Sequence, residues 1–338
     1  MIREAITNTV AGQSLSMDEA VAVMREVMEG EATPAQLGSY LTALSLKGET
    51  PEEIAGFATV MREKSLRVNI VGPAVDTCGT GGDFKGTFNI STAAAFVVAG
   101  AGLTVAKHGG RAASGACGSA DVLEALGVCI ELPPEAVERC LNEIGIGFMF
   151  APAFHPAMRY AGPVRREIGI RTVFNVLGPM TNPAGVSSQL IGVGYPEVAG
   201  KMAEVLRLLG AHHAIIVHSD DGMDELSLGS DTTGWEVLDG ELRPYLVQPR
   251  QLGLPHATPD DLQGGDPDQN AATMRRLLAG EGGPICDAVV LNAGAALVAG
   301  DGAASLAEGI QMAAASIADG RAAQKLEALI EMTQRLAE

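Results

Sequence analysis

The chain has 338 residues, enough for about two domains. Hydrophobic residues make up 47% and charged residues 19%, which predicts a sizeable core and excludes general disorder. With 41 Asp and Glu against 23 Lys and Arg the net charge is −18, which argues against non-specific nucleic-acid binding and against an anionic membrane surface.

Up to about residue 72 the sequence reads as helices with clear start signals. Ser16 and Glu19 form a capping box, with Ser16 as N-cap and Glu19 at the third helical position. Thr33 with Gln36 and Thr50 with Glu53 repeat the device, with Pro34 and Pro51 at the first helical position. Ala20, Val23, Met24 and Val27 follow at helical spacing. Three short helices are expected, suited to packing or oligomerisation. No membrane span is expected: the best apolar run, 93–106, falls short of the ~20 residues needed. Met1, Ile2, Arg3 and Glu4 put an acid where a secretory leader would be basic. Cys78, Cys117, Cys129, Cys140 and Cys286 are odd in number and form no C-x-x-C pair, so reduced thiols in a cytoplasmic protein are expected.

After Pro73 short β-branched or apolar runs alternate with helical stretches. Strands are predicted over 103–106, 189–193, 214–218 and 288–291, and helices over 91–100, 119–126, 134–143, 196–209, 270–278 and 305–319. The alternation predicts an α/β sheet with helices packed on it. Residues 163–183, basic and then rich in Pro and Asn, read either as a hinge or as part of the helical unit.

Three segments carry chemistry. Gly79, Gly81 and Gly82, followed by Asp83 and Thr87, suit a loop whose backbone N–H groups converge on an anion, or else a tight turn. Asn89, Ile90, Ser91 and Thr92 stand where a helix begins, and coupled to that loop they favour phosphate binding. The pattern is neither a Walker A loop nor G-x-G-x-x-G. Lys107 and Arg111 then bracket two glycines after a predicted strand, and Ser119 either joins that site or is a plain N-cap. Finally, Asp220, Asp221, Asp224 and Glu225 crowd a short loop after an apolar run, which reads as a solvated acidic loop or as a site for a hard cation such as Mg²⁺.

Taken in order, 79–83, 87–92, 107–111, 118–127, 154–158, 163–167, 171–179, 221–225 and 291–293 resemble the anthranilate phosphoribosyltransferases, and the similarity covers nearly the whole chain. The resemblance implies a small helical domain and a large α/β domain whose central, mostly parallel sheet is flanked by helices. It places the helical domain at 1–72 with about 163–187, and the α/β domain at 73–162 with about 188–338. It implies transfer of the phosphoribosyl group from phosphoribosyl pyrophosphate (PRPP) to anthranilate in tryptophan biosynthesis. It also implies a cytoplasmic homodimer associating through the helical domain, and Mg²⁺, two ions per subunit. By the same resemblance Gly79, Gly82, Asp83, Thr87, Asn89, Ile90, Ser91, Thr92, Lys107, Arg111, Ser114, Gly115 and Ser119 bind PRPP. Gly79, Gly110, His155 and Arg165 face anthranilate, with a structural histidine as the alternative for His155. Ser91, Asp224 and Glu225 hold the metal. A planar Arg fork suits a carboxylate, and Mg²⁺, helix N-termini, Lys107 and the cluster Arg165, Arg166 and Arg171 would offset the acidic chain around an anionic substrate.

The family's usual Lys-His-Gly-Asn-Arg string is broken at Gly110, where an Asn normally touches anthranilate. The expected result is weaker acceptor binding, by the ~0.5–1.5 kcal/mol of one hydrogen bond, or a different aromatic amine acceptor. Ser114 is retained, but Gly115 and Ala116 replace the usual Ser and polar residue, which puts some phosphate contacts in doubt. A pyrimidine nucleoside phosphorylase is the nearest rival, although His108 and Gly109 replace its Lys-x-Ser-x-Arg loop.

Overall fold

The computed structural model describes residues 1–112 and 116–337. Ser114 and Gly115 lie outside the described residues.

The chain opens with four helices, α1 (Ile2–Val10), α2 (Met17–Met28), α3 (Pro34–Lys47) and α4 (Pro51–Lys64). All three predicted capping boxes form: Ser16, Thr33 and Thr50 each accept from the backbone N–H three residues on, while Glu19, Gln36 and Glu53 reach back. Helix α1 was not anticipated, because it carries no capping side chain.

Strand β1 (Val75–Gly79) then leads through α5 (Ile90–Gly100), β2 (Val105–Gly109), α6 (Ser119–Leu126) and α7 (Pro134–Ile144) to β3 (Ile146–Phe150). Helices α8 (Ala151–Phe154), α9 (Met158–Ile168) and α10 (Phe174–Leu177) follow. Helix α9 packs on α2 and α3, so the basic part of the ambiguous segment joins the helical unit. The chain returns through β4 (Ser188–Gly192), α11 (Pro196–Leu208), β5 (His213–Ser219), β6 (Thr232–Leu238) and β7 (Glu241–Val247). It closes with α12 (Pro267–Leu278), α13 (Pro284–Ala299), α14 (Leu306–Ala318) and α15 (Arg321–Ala337).

The seven strands form one sheet in the order β3-β2-β1-β4-β5-β6-β7. The first five are parallel, and β6 and β7 add an antiparallel ribbon. Side chains alternate between faces, as strand geometry requires. Leu190, Ile215 and Val217 join the core under α5, α13, α14 and α15. Ile191, Val193, Ala214 and Ile216 face the other way, into a core shared with α11 and the N-terminal helices. Helix α4 packs directly on α11, which anchors the helical unit to one face of the sheet.

One predicted strand is wrong. Residues 288–291 lie inside α13, which is buried nearly all round. A short apolar run looks alike in a buried strand and in a buried helix, and here the length of the apolar stretch decides for helix. The strand predictions do not include β1, β3, β6 or β7; β1 ends on Gly79, the first glycine of the loop. Ser119 is not an N-cap either: Gly118 takes that position, and Ser119 is the first helical residue.

Candidate active site

A cleft of about 1130 Å³ opens over the carboxyl ends of the parallel strands, the usual ligand side of an open α/β sheet. One wall is the loop after β1 (79–84, 86 and 87) with the β2–α6 connection; the opposite wall is Ser45 and Glu49 near the end of α3 with residues 169–173. The structure therefore brings Gly79, Gly82, Asp83, Thr87, Gly110, Arg111 and Ser119 to one surface.

The glycine-rich loop is shaped by its backbone. Gly81 and Gly82 have φ of +64° and +81°, values that favour glycine. Thr80 ties the loop down: its N–H donates to the Gly192 carbonyl at 2.9 Å, and its hydroxyl accepts from Gly194 N–H at 3.1 Å.

Behind this loop stand the acidic residues of the β5–β6 connection. Asp224 accepts from Gly81 N–H at 2.9 Å, and its own N–H lies 3.5 Å from an Asp83 carboxylate oxygen. Burial, reinforced by Asp83, pushes the Asp224 carboxyl up to about 7. Burial and then Asp224 push Glu225 well above the ordinary range, against the pull of Lys107 and of Ser91 N–H at the start of α5. Ser91, Asp224 and Glu225 are thus brought together as the sequence expected, and Asp83 joins them. The close approach has a backbone cause: a Cβ on Gly192 would sit 1.5 Å from the Asp224 carbonyl oxygen.

This donor set fits Mg²⁺. The oxygens are hard, the carboxylates crowd one another, and their charge exceeds what Lys107 offsets. Among the described residues no three His, Cys, Asp or Glu side chains form a protein-only cage. Mg²⁺ does not need one, because it takes one or two carboxylates and completes its shell with water and substrate phosphates.

Other predicted residues have different surroundings. Lys107 is buried, with its Nζ donating to the Thr77 carbonyl at 2.5 Å, so it balances the interior charge of Asp76 and Glu225 rather than lining the cleft. Asn89 lies behind the lining, donating to the Cys117 carbonyl at 3.0 Å and accepting from Asn270 at 2.9 Å. Ile90 is buried, and Thr92 donates to the Ser119 hydroxyl at 3.1 Å. Arg111 pairs with Asp121 at 3.0 Å and with Glu124. His155 and Arg165 lie outside the cleft lining. The Nε2 atoms of His155 and His108 meet at 3.2 Å, and burial pushes the two rings down to about 4 and about 3, so both are neutral at pH 7. Arg165 lies over the Phe174 ring, 5.1 Å from its centroid, and burial lowers its affinity for its proton.

Sequence reading missed Asn270, which orients Asn89, and Tyr195, on which Arg171 rests with its guanidinium carbon 3.8 Å from the ring centroid. Neither sits in a recognisable motif. Asp76 is also buried, pushed up to about 6 by burial and bonded by Asn182 at 2.8 Å.

Comparison with known proteins decides the family. The glycosyl transferase family a/b domain matches residues 71–323, and the helical bundle domain of the same family matches residues 3–65. The anthranilate phosphoribosyltransferase of Chloroflexus aurantiacus is 58% identical over 335 residues, covering 98% of this chain and 99% of the relative. The chain belongs to the anthranilate phosphoribosyltransferase family. The Dehalococcoides mccartyi enzyme of the same name is 53% identical over 339 residues, covering 100% of this chain and 99% of its own. The Thermus thermophilus structure superposes with a TM-score of 0.92 at 47% identity, covering 98% and 99% of the two chains. A Saccharomyces cerevisiae structure in complex with PRPP and Mg superposes at 0.90 with 29% identity, covering 99% and 98%. Family membership makes the chain a pentosyltransferase and leaves the nucleoside phosphorylase reading unfavoured. Among the described residues no helix is long and apolar enough to cross a membrane.

Proposed function

We propose that the cleft transfers the phosphoribosyl group of PRPP to the amine of anthranilate, releasing pyrophosphate and forming N-(5-phosphoribosyl)-anthranilate in tryptophan biosynthesis. The observation that carries this reading is the set of buried, mutually repelling carboxylates directly behind a glycine-rich loop. That arrangement calls for a divalent cation and, with it, a polyphosphate. Ser91, Asp224 and Glu225, with Asp83 beside them, would hold two Mg²⁺ ions per subunit. Bound there, Mg²⁺ offsets the charge that develops on departing pyrophosphate.

The chain's own residues do the rest. Gly79, Gly82, Asp83 and Thr87 seat the pyrophosphate end. Asn89, Ile90, Ser91, Thr92, Lys107, Arg111, Ser114, Gly115 and Ser119 make up the remaining PRPP site, directly or by fixing its wall. Gly79, Gly110, His155 and Arg165 belong to the acceptor side. The bond from the anomeric carbon to the pyrophosphate oxygen breaks, the carbon–nitrogen bond forms, and the amine releases a proton. Holding the two substrates in line across the cleft supplies much of the rate.

We assign residues 1–72 with about 163–187 to a helical domain that forms a cytoplasmic homodimer. An apolar groove between α1 and α3, flanked by Val10 at 72% and Leu46 at 85% exposure, supports this surface. The deciding experiment follows anthranilate fluorescence with PRPP, with and without Mg²⁺. Consumption that requires both is expected. Binding of PRPP without consumption would instead point to another aromatic amine.

A further inference from the structure

Among the described residues the charged side chains lining the cleft are Glu49, Asp83, Arg111 and Arg171. Arg111 is committed to Asp121 and Glu124. Arg171 makes no ion pair among the described residues; it is exposed and its guanidinium carbon rests over the Tyr195 ring. It is also the only cation that the helical wall presents to the cleft among those residues, where the other charged side chain is the acidic Glu49, just past the end of α3.

Both ends of this stack are anchored. The Arg171 carbonyl accepts from the Ser45 hydroxyl of α3 at 3.2 Å, and the next N–H, of Thr172, donates to Asn175 at 3.0 Å. Tyr195 caps α11 and lies over the glycine-rich loop, with its Cε2 3.9 Å from where a Cβ of Gly82 would be. The guanidinium is therefore parked beside residues 79–83, while the loop's own cation, Lys85, lies beyond them against Gly222 and outside the cleft lining. The peptide that follows Arg171 is held at both its carbonyl and its N–H, while among the described residues no ion pair or hydrogen bond ties the long side chain.

We propose that Arg171 is the helical wall's contact for the pyrophosphate moiety of PRPP, and that Tyr195 is its resting platform in the absence of ligand. The proposal builds on the reading of the glycine-rich loop as the phosphate site. An exposed cation–π stack is weak enough to be exchanged for bonds to phosphate oxygens, which are charge-assisted and can be two-pronged. On binding, the guanidinium leaves the ring and the ligand bridges the two walls. The position of Tyr195 over Gly82, rather than over Gly110, is what assigns Arg171 to the phosphate end instead of the acceptor carboxylate.

The test is calorimetric titration of wild type, Arg171→Ala and Arg171→Lys with Mg²⁺·pyrophosphate and with Mg²⁺·PRPP, alongside steady-state kinetics. Loss of a charge-assisted contact predicts affinity for both ligands lower by about 10-fold or more in Arg171→Ala. The PRPP KM should rise in step while the anthranilate KM stays within about twofold. Arg171→Lys should recover only part of the affinity, since it keeps the charge without the fork. Tyr195→Leu, which removes the platform, should not weaken pyrophosphate binding. Unchanged pyrophosphate and PRPP affinity in Arg171→Ala overturns the proposal, and so does a rise confined to the anthranilate KM. Failure of wild type itself to bind Mg²⁺·PRPP would overturn the underlying reading of the loop, a result that the wild-type titration shows separately.

Discussion

The parallel strands carry a polar cluster at each end, and the two are built on opposite principles. At the carboxyl end Asp83, Asp224 and Glu225 crowd together with too little positive charge, and burial raises the pKa of the last two. At the amino end of β5, Asp239, His212, Asp301, His213 and Glu236 form an unbroken chain in which each ring nitrogen meets a carboxylate at 2.6–3.1 Å. One cluster is electrostatically incomplete; the other is closed on itself. A site that must take up a cation and a polyanion keeps a mismatch in its free state, whereas a structural joint removes it.

The largest effect should come from correcting that mismatch. Glu225→Gln or Asp224→Asn should lower kcat/KM by at least about 100-fold, the scale of losing one strong transition-state contact. The same substitutions should not destabilise the metal-free protein. A carboxylate whose pKa is raised on folding costs stability once it is charged, so a neutral isostere removes a cost. Thermal melts without Mg²⁺ should show an unchanged or higher Tm. Loss of both activity and stability would mean that these carboxylates are structural, like those at the other end.

A backbone change probes the same end. Gly192→Ala would drive a methyl group into the Asp224 carbonyl. Forcing the loop aside should cost about 1–3 kcal/mol of stability and displace both acidic side chains. A melt with kinetics checks this; a variant of normal stability and activity would show that the contact is readily relaxed.

Gly110→Asn should act the other way and more gently. Among the described residues a Cβ at Gly110 meets nothing within 4 Å, so the first side-chain atom has room. Gaining one hydrogen bond of about 0.5–1.5 kcal/mol predicts an anthranilate KM lower by roughly 2- to 10-fold, with the PRPP KM unchanged. No change in the anthranilate KM would place the acceptor away from residue 110.

How much of this was legible in the sequence follows physical range. Caps are local, so Ser16, Thr33 and Thr50 could be read with their partners three residues on. The glycine loop, the helix start at 89–92 and the 224–225 pair are short strings whose chemistry is intrinsic to the residues. Their convergence is not local: Ser91 and Glu225 meet only because β1, β4 and β5 are neighbours in the sheet. Strand β1 was hidden because its last residues also begin the loop. The 288–291 run failed because a helix buried on every side loses the polar face that betrays a helix. The stacking of Arg171 on Tyr195 joins residues from opposite walls, and no pattern in either segment announces it.

The smallest effect belongs to the closed cluster, and it carries the pH dependence. The bond to Asp301, aided by Asp239, raises the His212 pKa above its ordinary value. Burial works to raise the Asp301 carboxyl, but bonds from His213 and His212 outweigh it and hold the pKa below the usual range. A raised histidine contributes fully below its unfolded value of about 6.5 and loses that contribution as pH rises through its folded value. A lowered carboxyl contributes above about 4 and loses its contribution as pH falls through its folded value. The clasp should therefore be strongest between about pH 4 and 6.5 and weaken on the alkaline side. His212 is 44% exposed, so solvent screening limits the gain to under about 1 kcal/mol. Asp301→Asn is the suitable probe: Asp301 has a φ of +56°, which Asn tolerates, so the backbone stays undisturbed while the charge and one of the two oxygens that accept from His212 and His213 are lost. Its Tm deficit relative to wild type should be largest near pH 5.5 and shrink by pH 8.5. A deficit independent of pH would show that the carboxylate acts by shape and neutral hydrogen bonding, and the contrast between the two ends of the sheet would then rest on the cleft alone.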